Sequence, residues 1–431
     1  MFTAQATFSS RGPCGFRVGT TPQGLVRSVS MRVVIITPFY KPSIGGVEYI
    51  VYHTARELSK RGFEVHIITT THDNRWKRVA SPGVNVEEEI YIHRLEPSYL
   101  RVGYATIMRG LREVLMGIKP DIVHSHNLHP HLFQAMRWKE NLRYKLVAQL
   151  HFPIATGIDH LLARIFFKYV MWNLVRNQNK INMFIAHTNI EKYWLISEGI
   201  NESRIAVVRY PGVPAKLLEY EPETDIHNKL SANTVITYIS RIHPRKGQHL
   251  LIKASYHLQQ ELNDFKVYIA GPPSDTKYLQ NLIYLINKLN LKKHIIVHPN
   301  SLTEKEKNDI IATSDVFACT AIRDLHPIVI LEALALKVPV VATKTGVIPE
   351  VLDPRVIIGE EDKNYNNVAL NIEKVIKLVK DNPTEIAKGI TEMIKHDKEK
   401  NNEVFTTVIR PYTFEHITEK LIEYYKTLFS K

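Results

Sequence analysis

Two cations and two carboxylates in the second half of the chain have types and spacing suited to gripping a nucleoside diphosphate. Arg241 and Lys246 fall in the segment Ser240-Arg241-Ile242-His243-Pro244-Arg245-Lys246-Gly247, between an apolar run at Val235–Ile239 and a helical pattern from Gln248. Two fixed cations at a strand–loop–helix junction are what binding a diphosphate requires. Arg241 can bond two oxygens at once, whereas Lys246 acts as a point charge. Asp324 and Glu332 follow, with seven residues between them, in DVFACTAIRDLHPIVILEALALKVPVVATKTGVIPEVL, residues 315–352. Pro327 suits the first turn of a helix, where a missing N–H costs nothing. The free amides of Ile328 and Val329 then point out of a positive helix end toward an anion. Glu332 projects from the next turn, and a carboxylate there suits the diol of a ribose better than it suits phosphate.

These groups need a scaffold, and the pattern supplies one. Residues 315–352 read as a strand (Val316–Cys319), a polar loop (Thr320–Asp324), a helix, a second strand (Val338–Ala342) and a Gly/Pro turn. That is the strand–helix–strand unit of a parallel sheet, whose ligands lie at the strands' carboxyl ends. The first half repeats the theme. Val33–Thr37 is a buried strand, the loop PFYKPSIGGVE follows, and a helix runs from Val47 to Lys60. Gly45 and Gly46 in that loop permit close backbone approach to a ligand. Further strands are expected at Glu64–Thr69, Ile122–His124, Leu146–His151, Met183–Ala186, Ile205–Arg209, Phe265–Ala270 and Ile295–His298. His124, His126 and His129 have no neighbouring Cys or acid at ligand spacing, so no metal site is expected there.

The totals bound the class. A chain of 431 residues should hold two domains. Hydrophobic content of 44% and charged content of 23% are those of a globular enzyme. No apolar run reaches the roughly 18 residues of a membrane span. Two cysteines, Cys14 and Cys319, make no disulfide framework and fit a reducing compartment. The net charge of +13 is uneven: residues 1–205 carry 26 Lys/Arg against 15 Asp/Glu, residues 206–431 carry 30 against 28. No basic–aromatic cluster or nucleic-acid motif accompanies the excess, so an anionic membrane surface or a phosphate-bearing acceptor is the better partner, and nucleic acid is not expected. The expected divisions are an extension at 1–30, a first domain at 31–212, a charged linker at 213–232, a second domain at 233–410 and a closing helix at 411–431. Two readings stay open for His160–Asn177. It is a core helix with its cations on the wet face, the favoured reading, or an interfacial helix against anionic lipid. The mixed-charge run Glu304–Asp309 reads as a solvated helix face.

Asp324, Glu332 and Ala333, with Gly346, Pro349 and Glu350 after the next strand, resemble the nucleotide-sugar signature of family four glycosyltransferases (glycosyl transferases group 1), retaining enzymes with the GT-B architecture. Arg241 and Lys246-Gly247 match a second signature of that family, and Gly45-Gly46 a third. The resemblance runs in order through residues 31–430. It implies an α/β fold of two Rossmann-like domains facing across a cleft. It implies transfer of a hexose from a nucleoside-diphosphate sugar to an acceptor hydroxyl with retention of configuration. Asp324 would contact the donor sugar and Glu332 the ribose hydroxyls. Arg241, Lys246 and the amides of Ile328 and Val329 would stabilise the leaving diphosphate. Gly45 and Gly46 would pack beside that diphosphate and the acceptor. The backbone near Asn300 would read the base, His126 would sit against the donor sugar, and His151 would lie on the acceptor side. The closing helix would pack back on the first domain. No metal and no cofactor beyond the donor are implied, which agrees with the lack of any Asp-x-Asp. A glycan or lipid-linked acceptor at the cytoplasmic membrane face is the expected setting. Two other readings share the architecture: a nucleotide-sugar epimerase, and a sugar-nucleotide-binding protein without turnover.

Overall fold

In the computed structural model the described residues are 30–43, 45–73, 75–102, 105–151, 161–324, 328–346, 348–353, 371–396 and 401–430. The expected extension lies outside them save for Ser30, as do His326, Pro327 and Val347.

Two parallel sheets carry the chain. The first uses β1 (Arg32–Ile36), β2 (Glu64–Thr70), β3 (Gly83–Glu87), β4 (Ile90–Leu95), β7 (Ile122–His126), β8 (Lys145–Gln149), β9 (Met183–Ala186) and β10 (Ile205–Val207). Their order is β10-β9-β8-β7-β1-β2-β4-β3, and only β3 runs antiparallel. A small ribbon, β5 (Pro97–Val102) with β6 (Ala105–Met108), stands apart. The second sheet uses β11 (Thr234–Ile239), β12 (Phe265–Ala270), β13 (Ile295–His298), β14 (Val316–Cys319), β15 (Val340–Thr343) and β16 (Ile376–Val379), in the order β13-β12-β11-β14-β15-β16.

The apolar runs form central strands because both faces of each sheet are covered. In β1, Val33 and Ile35 join one core while Val34 and Ile36 join another, as the two-residue period of a strand demands. The second domain has its own core, from Val213 to Tyr412. The stretch expected as bare linker is partly folded into that core, through Leu217 and Ile226. The helix Phe414–Thr427 leaves it and lays Phe414, Ile417, Leu421 and Tyr425 on the core face shared by Val33 and Ile35. Where the chain crosses twice between domains, the Val213 amide donates to the Tyr412 carbonyl at 2.9 Å and the Phe414 amide to the Val213 carbonyl at 2.9 Å. Gly212 is required there, since a Cβ would stand 3.1 Å from the Tyr412 carbonyl oxygen and 2.7 Å from Ile417.

Each sheet reverses its strand order at one place, between β1 and β7 in the first and between β11 and β14 in the second. Crevices form outside the carboxyl ends at such points. Topology alone therefore sets the Ser240–Gly247 loop beside the Thr320–Asp324 loop, and the Gly45-Gly46 loop beside the end of β7.

Three expectations need correction. β7 runs on to His126 rather than ending at His124, because His126 pairs in register with Gln149 of β8. The helix Leu161–Arg176 buries only part of its apolar residues: Met171 and Leu174 enter the core, whereas Ile165, Phe166, Tyr169 and Trp172 are exposed. The run Glu304–Asp309 is a solvated face only over Glu304, Lys305 and Glu306, since Asp309 is buried and accepts from the Tyr220 hydroxyl at 2.8 Å, the Thr224 hydroxyl at 3.1 Å and the Glu223 amide at 3.2 Å.

Candidate active site

The loop after β11 is shaped by one residue. Gly247 adopts φ +66°, and a Cβ there would lie 2.0 Å from the Thr320 carbonyl oxygen. The Thr320 hydroxyl donates to the Gly247 carbonyl at 2.9 Å, and the Ile322 and Arg323 amides donate to the Arg245 carbonyl at 2.9 and 3.1 Å. The loops after β11 and β14 are thus laced together at the backbone. Lys246 follows from this: its ammonium donates to the Asp324 carboxylate. The buried Tyr238 hydroxyl anchors the turn by donating to the Lys246 carbonyl at 2.7 Å. Nearby Cys319 is no nucleophile, because burial, then the Asp324 charge, pushes its thiol up to about 11. Gly247→Ala should cost about 1–2 kcal/mol from the left-handed backbone alone, and more from the displaced Thr320 carbonyl. Urea unfolding and nucleotide binding measured together should both report the loss.

The helix Ile328–Ala335 begins just beyond, with Ile328 and Val329 half-buried at its head. Glu332 is buried, and its carboxylate accepts from the Lys307 ammonium at 2.7 Å. Lys307 is a site residue that sequence reading misses; it sits in the run expected to be solvated. The first domain faces this helix. A Cβ on Gly46 would come within 3.9 Å of the Ile328 side chain. Burial, then the charges of Glu332 and Glu304 across the cleft, hold the Tyr49 phenol well above its usual range. Gly45 caps the helix Gly46–Lys60, and Glu48 folds back against it, its carboxyl raised by burial.

The remaining expected residues are placed as follows. Arg241 is exposed, and its guanidinium forms no hydrogen bond or ion pair among the described residues. Asn300 is exposed beyond β13, two strands away from β11. His126 is fully buried, and its Nδ1 shares a 2.8 Å hydrogen bond with Nε2 of His151. His151 is half-buried with φ +53°, so the two histidines come together with His151 the outer ring. His187 closes against His151 edge-on at 4.9 Å. A further bond spans the domains: the Glu350 carboxylate accepts the amides of Asn189 at 2.5 Å and Ile190 at 3.0 Å. It thereby caps the positive end of the helix Asn189–Ser197. Among the described residues, no three His, Cys, Asp or Glu side chains gather in a way that could hold a metal ion.

Known proteins share both halves. The sequence model of "Glycosyltransferase Family 4" matches residues 44–216, and that of "Glycosyl transferases group 1" matches residues 220–405. The GPI3 subunit of phosphatidylinositol N-acetylglucosaminyltransferase from Saccharomyces cerevisiae is 20% identical over 415 residues, covering 93% of this chain and 84% of the relative. The D-inositol 3-phosphate glycosyltransferase of a Mycobacterium species is 26% identical over 355 residues, 77% of each chain. Among solved structures, Anabaena Alr3699/HepE in complex with UDP superposes with a TM-score of 0.66 at 18% identity, over 92% of this chain and all of that one. Sucrose-phosphate synthase from Thermosynechococcus elongatus gives 0.68 at 15% identity, over 93% and 99%. With one family model on each domain and a GT-B fold throughout, the chain belongs to the group 1 glycosyltransferases.

Proposed function

We propose that the protein transfers a sugar from a nucleoside-diphosphate donor to an acceptor hydroxyl with retention of configuration. The observation that carries this reading is the meeting of Lys246 with Asp324 at the second sheet's switch point, beside the head of the helix Ile328–Ala335. In the proposed step the acceptor oxygen bonds to the anomeric carbon on the face from which the diphosphate departs. The electron pair of the breaking C–O bond goes to the diphosphate oxygen, which takes the acceptor's proton. Lys246, Arg241 and the amides of Ile328 and Val329 balance the charge that develops there, so no metal or other cofactor is invoked. Asp324 orients the donor sugar, and Glu332, held by Lys307, receives the ribose hydroxyls. Asn300 lies along the base. His151, backed by His126, faces the sugar and acceptor from the first domain, beside Gly45 and Gly46.

The acceptor we favour is lipid-linked or otherwise phosphate-bearing. Both relatives are named for inositol compounds that carry phosphate. A cavity of about 410 Å³ at the carboxyl edge of the first sheet is lined by His72, Trp76, Arg78, Glu96, Ser98 and Arg109, with Arg78 donating to Glu96 at 2.5 Å, and this mixed polar lining suits a polyol. The setting proposed is the cytoplasmic face of a membrane.

A thermal-shift screen against nucleoside diphosphates and their sugars tests the donor, with UDP first because a structural neighbour binds it. A hundred-fold excess over Kd should add about 2.7 kcal/mol of stability. If no nucleoside diphosphate raises Tm, the donor assignment is wrong. Retention is checked on the product's anomeric signal by NMR.

A further inference from the structure

The helix Leu161–Arg176 presents a face that the described fold leaves bare. Ile165, Phe166, Tyr169 and Trp172 are 57, 44, 57 and 52% exposed, whereas Met171 and Leu174, on the opposite side, are buried in the first domain's core. At about 100° per residue, Ile165, Tyr169, Trp172 and Arg176 fall within roughly 60° of one another, with Phe166 and Lys168 on the flanks. The exposed apolar groups therefore make one stripe rather than a scatter. The rings of Tyr169 and Trp172 stack at 6.1 Å, and the Arg176 guanidinium lies 4.7 Å over the Trp172 ring. Residues 161–176 hold Arg164, Lys168 and Arg176 and no acid.

That combination selects one partner. Protein–protein interfaces also enrich Tyr, Trp, Phe and Arg, but a stripe flanked by cations with no acid calls for a surface that is anionic throughout, and an ordinary wet helix face carries few large apolar groups. Tyr and Trp belong at the level of lipid headgroups, where one side is apolar and the other wet. Flanking cations without acids favour an anionic leaflet, and the surplus of 11 basic residues in the first 205 adds long-range attraction of the same sign. No described helix is long and apolar enough to cross a bilayer. We propose that this face docks the protein on an anionic lipid surface, with the helix lying in the plane of the headgroups. This deepens the membrane setting proposed above, naming the face that makes the contact, and does not need the transfer reaction.

The test is flotation of the full chain with vesicles of phosphatidylcholine alone and of phosphatidylcholine mixed with phosphatidylglycerol, at low and high salt. The wild type should float with the mixed vesicles only, and high salt should release it. Tyr169→Ser with Trp172→Ser should weaken binding by about tenfold or more, and Lys168→Glu with Arg176→Glu should do the same through charge. Brominated lipid should quench tryptophan fluorescence in the wild type, and Trp172→Ser should abolish most of that quenching. Each variant's UDP-induced thermal shift should match the wild type's, which keeps a docking failure separate from a donor-site failure. The proposal is overturned if the wild type does not float, if the variants float equally well, or if the same substitutions instead dissolve a concentration-dependent dimer.

Discussion

Lys246→Ala should lower kcat/KM by about 10²–10³, a loss of about 2.7–4 kcal/mol, the range found when one preorganised donor to a developing oxyanion is removed. The fold should survive. The Lys246 and Asp324 side chains are only 22 and 16% exposed, so removing the lysine alone leaves a largely buried carboxylate unpaired and should also cost stability, which urea unfolding measures beside the kinetics. The catalytic loss has two parts. A cation that would face the leaving diphosphate is gone, and Asp324 is left as a bare carboxylate beside the place where negative charge grows. The double variant Lys246→Ala with Asp324→Ala separates them. If Asp324 only holds the lysine, the double variant recovers part of the loss. If Asp324 also orients the donor sugar, it loses more, and the two effects couple rather than add. Arg241→Ala should act in the same direction with no cost in stability, because its guanidinium holds no described protein group. Steady-state kinetics with a saturating acceptor decides. Full activity in either single variant removes that residue from the chemistry.

The cation–carboxylate arrangement was legible because apolar runs mark parallel strands and the loops between them are short. Once Val235–Ile239 and Val316–Cys319 are strands, a parallel sheet with one reversal of order places the loop of Lys246 beside that of Asp324. What was not legible depends on contacts that leave no period in the sequence. Lys307 and Glu332 are 25 residues apart on separate helices, and no spacing rule joins them. The depth of His126 was hidden because Ser125 and His126 look like loop residues. They extend β7 only because Gln149 and Ala148 on β8 offer partners. β3 gave no signal because Val84, Val86 and the acids after them lie on an exposed sheet edge, where alternation has no core to record. For Leu161–Arg176, periodicity shows that a stripe exists but not which stripe the first domain covers. A buried face and a membrane face use the same residue types.

Acid should unfold this protein well before its carboxylates titrate, through the histidines behind the first switch point. His124, His126 and His131 are wholly buried. His131 Nε2 faces the His126 carbonyl at 2.8 Å, and His124 Nδ1 meets the Tyr425 hydroxyl at 2.7 Å. Among the described residues the other nitrogens, His131 Nδ1, His124 Nε2 and His126 Nε2, make no hydrogen bond, so a second proton on His131 or His126 would be a buried donor without an acceptor, and one on His124 would have only the Gln149 side chain beside it. Burial holds His124 and His131 down at about 3. Burial, then the neighbouring His124 and His151, holds His126 well below the usual range. In the unfolded chain each titrates near 6.5. These pKa values are depressed by folding, so the stability tied to the neutral rings is complete well above pH 6.5 and drains away as pH falls toward 3. Each ring costs about 1.4 kcal/mol per pH unit in that window, so three cost about 4 kcal/mol by roughly pH 5.5. That is a large share of the usual 5–15 kcal/mol. Glu57, held low by Lys60 and Arg61 against its own burial, adds loss of the same sign only below about pH 4.5, so the two windows separate. Stability from urea unfolding at about pH 7.5, 6.5 and 5.5 should fall by about 1 kcal/mol over the first step, where the unfolded rings are half-titrated, and by about three times as much over the second. His131→Gln should flatten the second step in part only, because its ring supplies one proton among several: burial also holds His53 down at about 3 and His93 and His129 at about 4. A second step of under about 1 kcal/mol in the wild type would mean that these rings are not kept neutral by the fold.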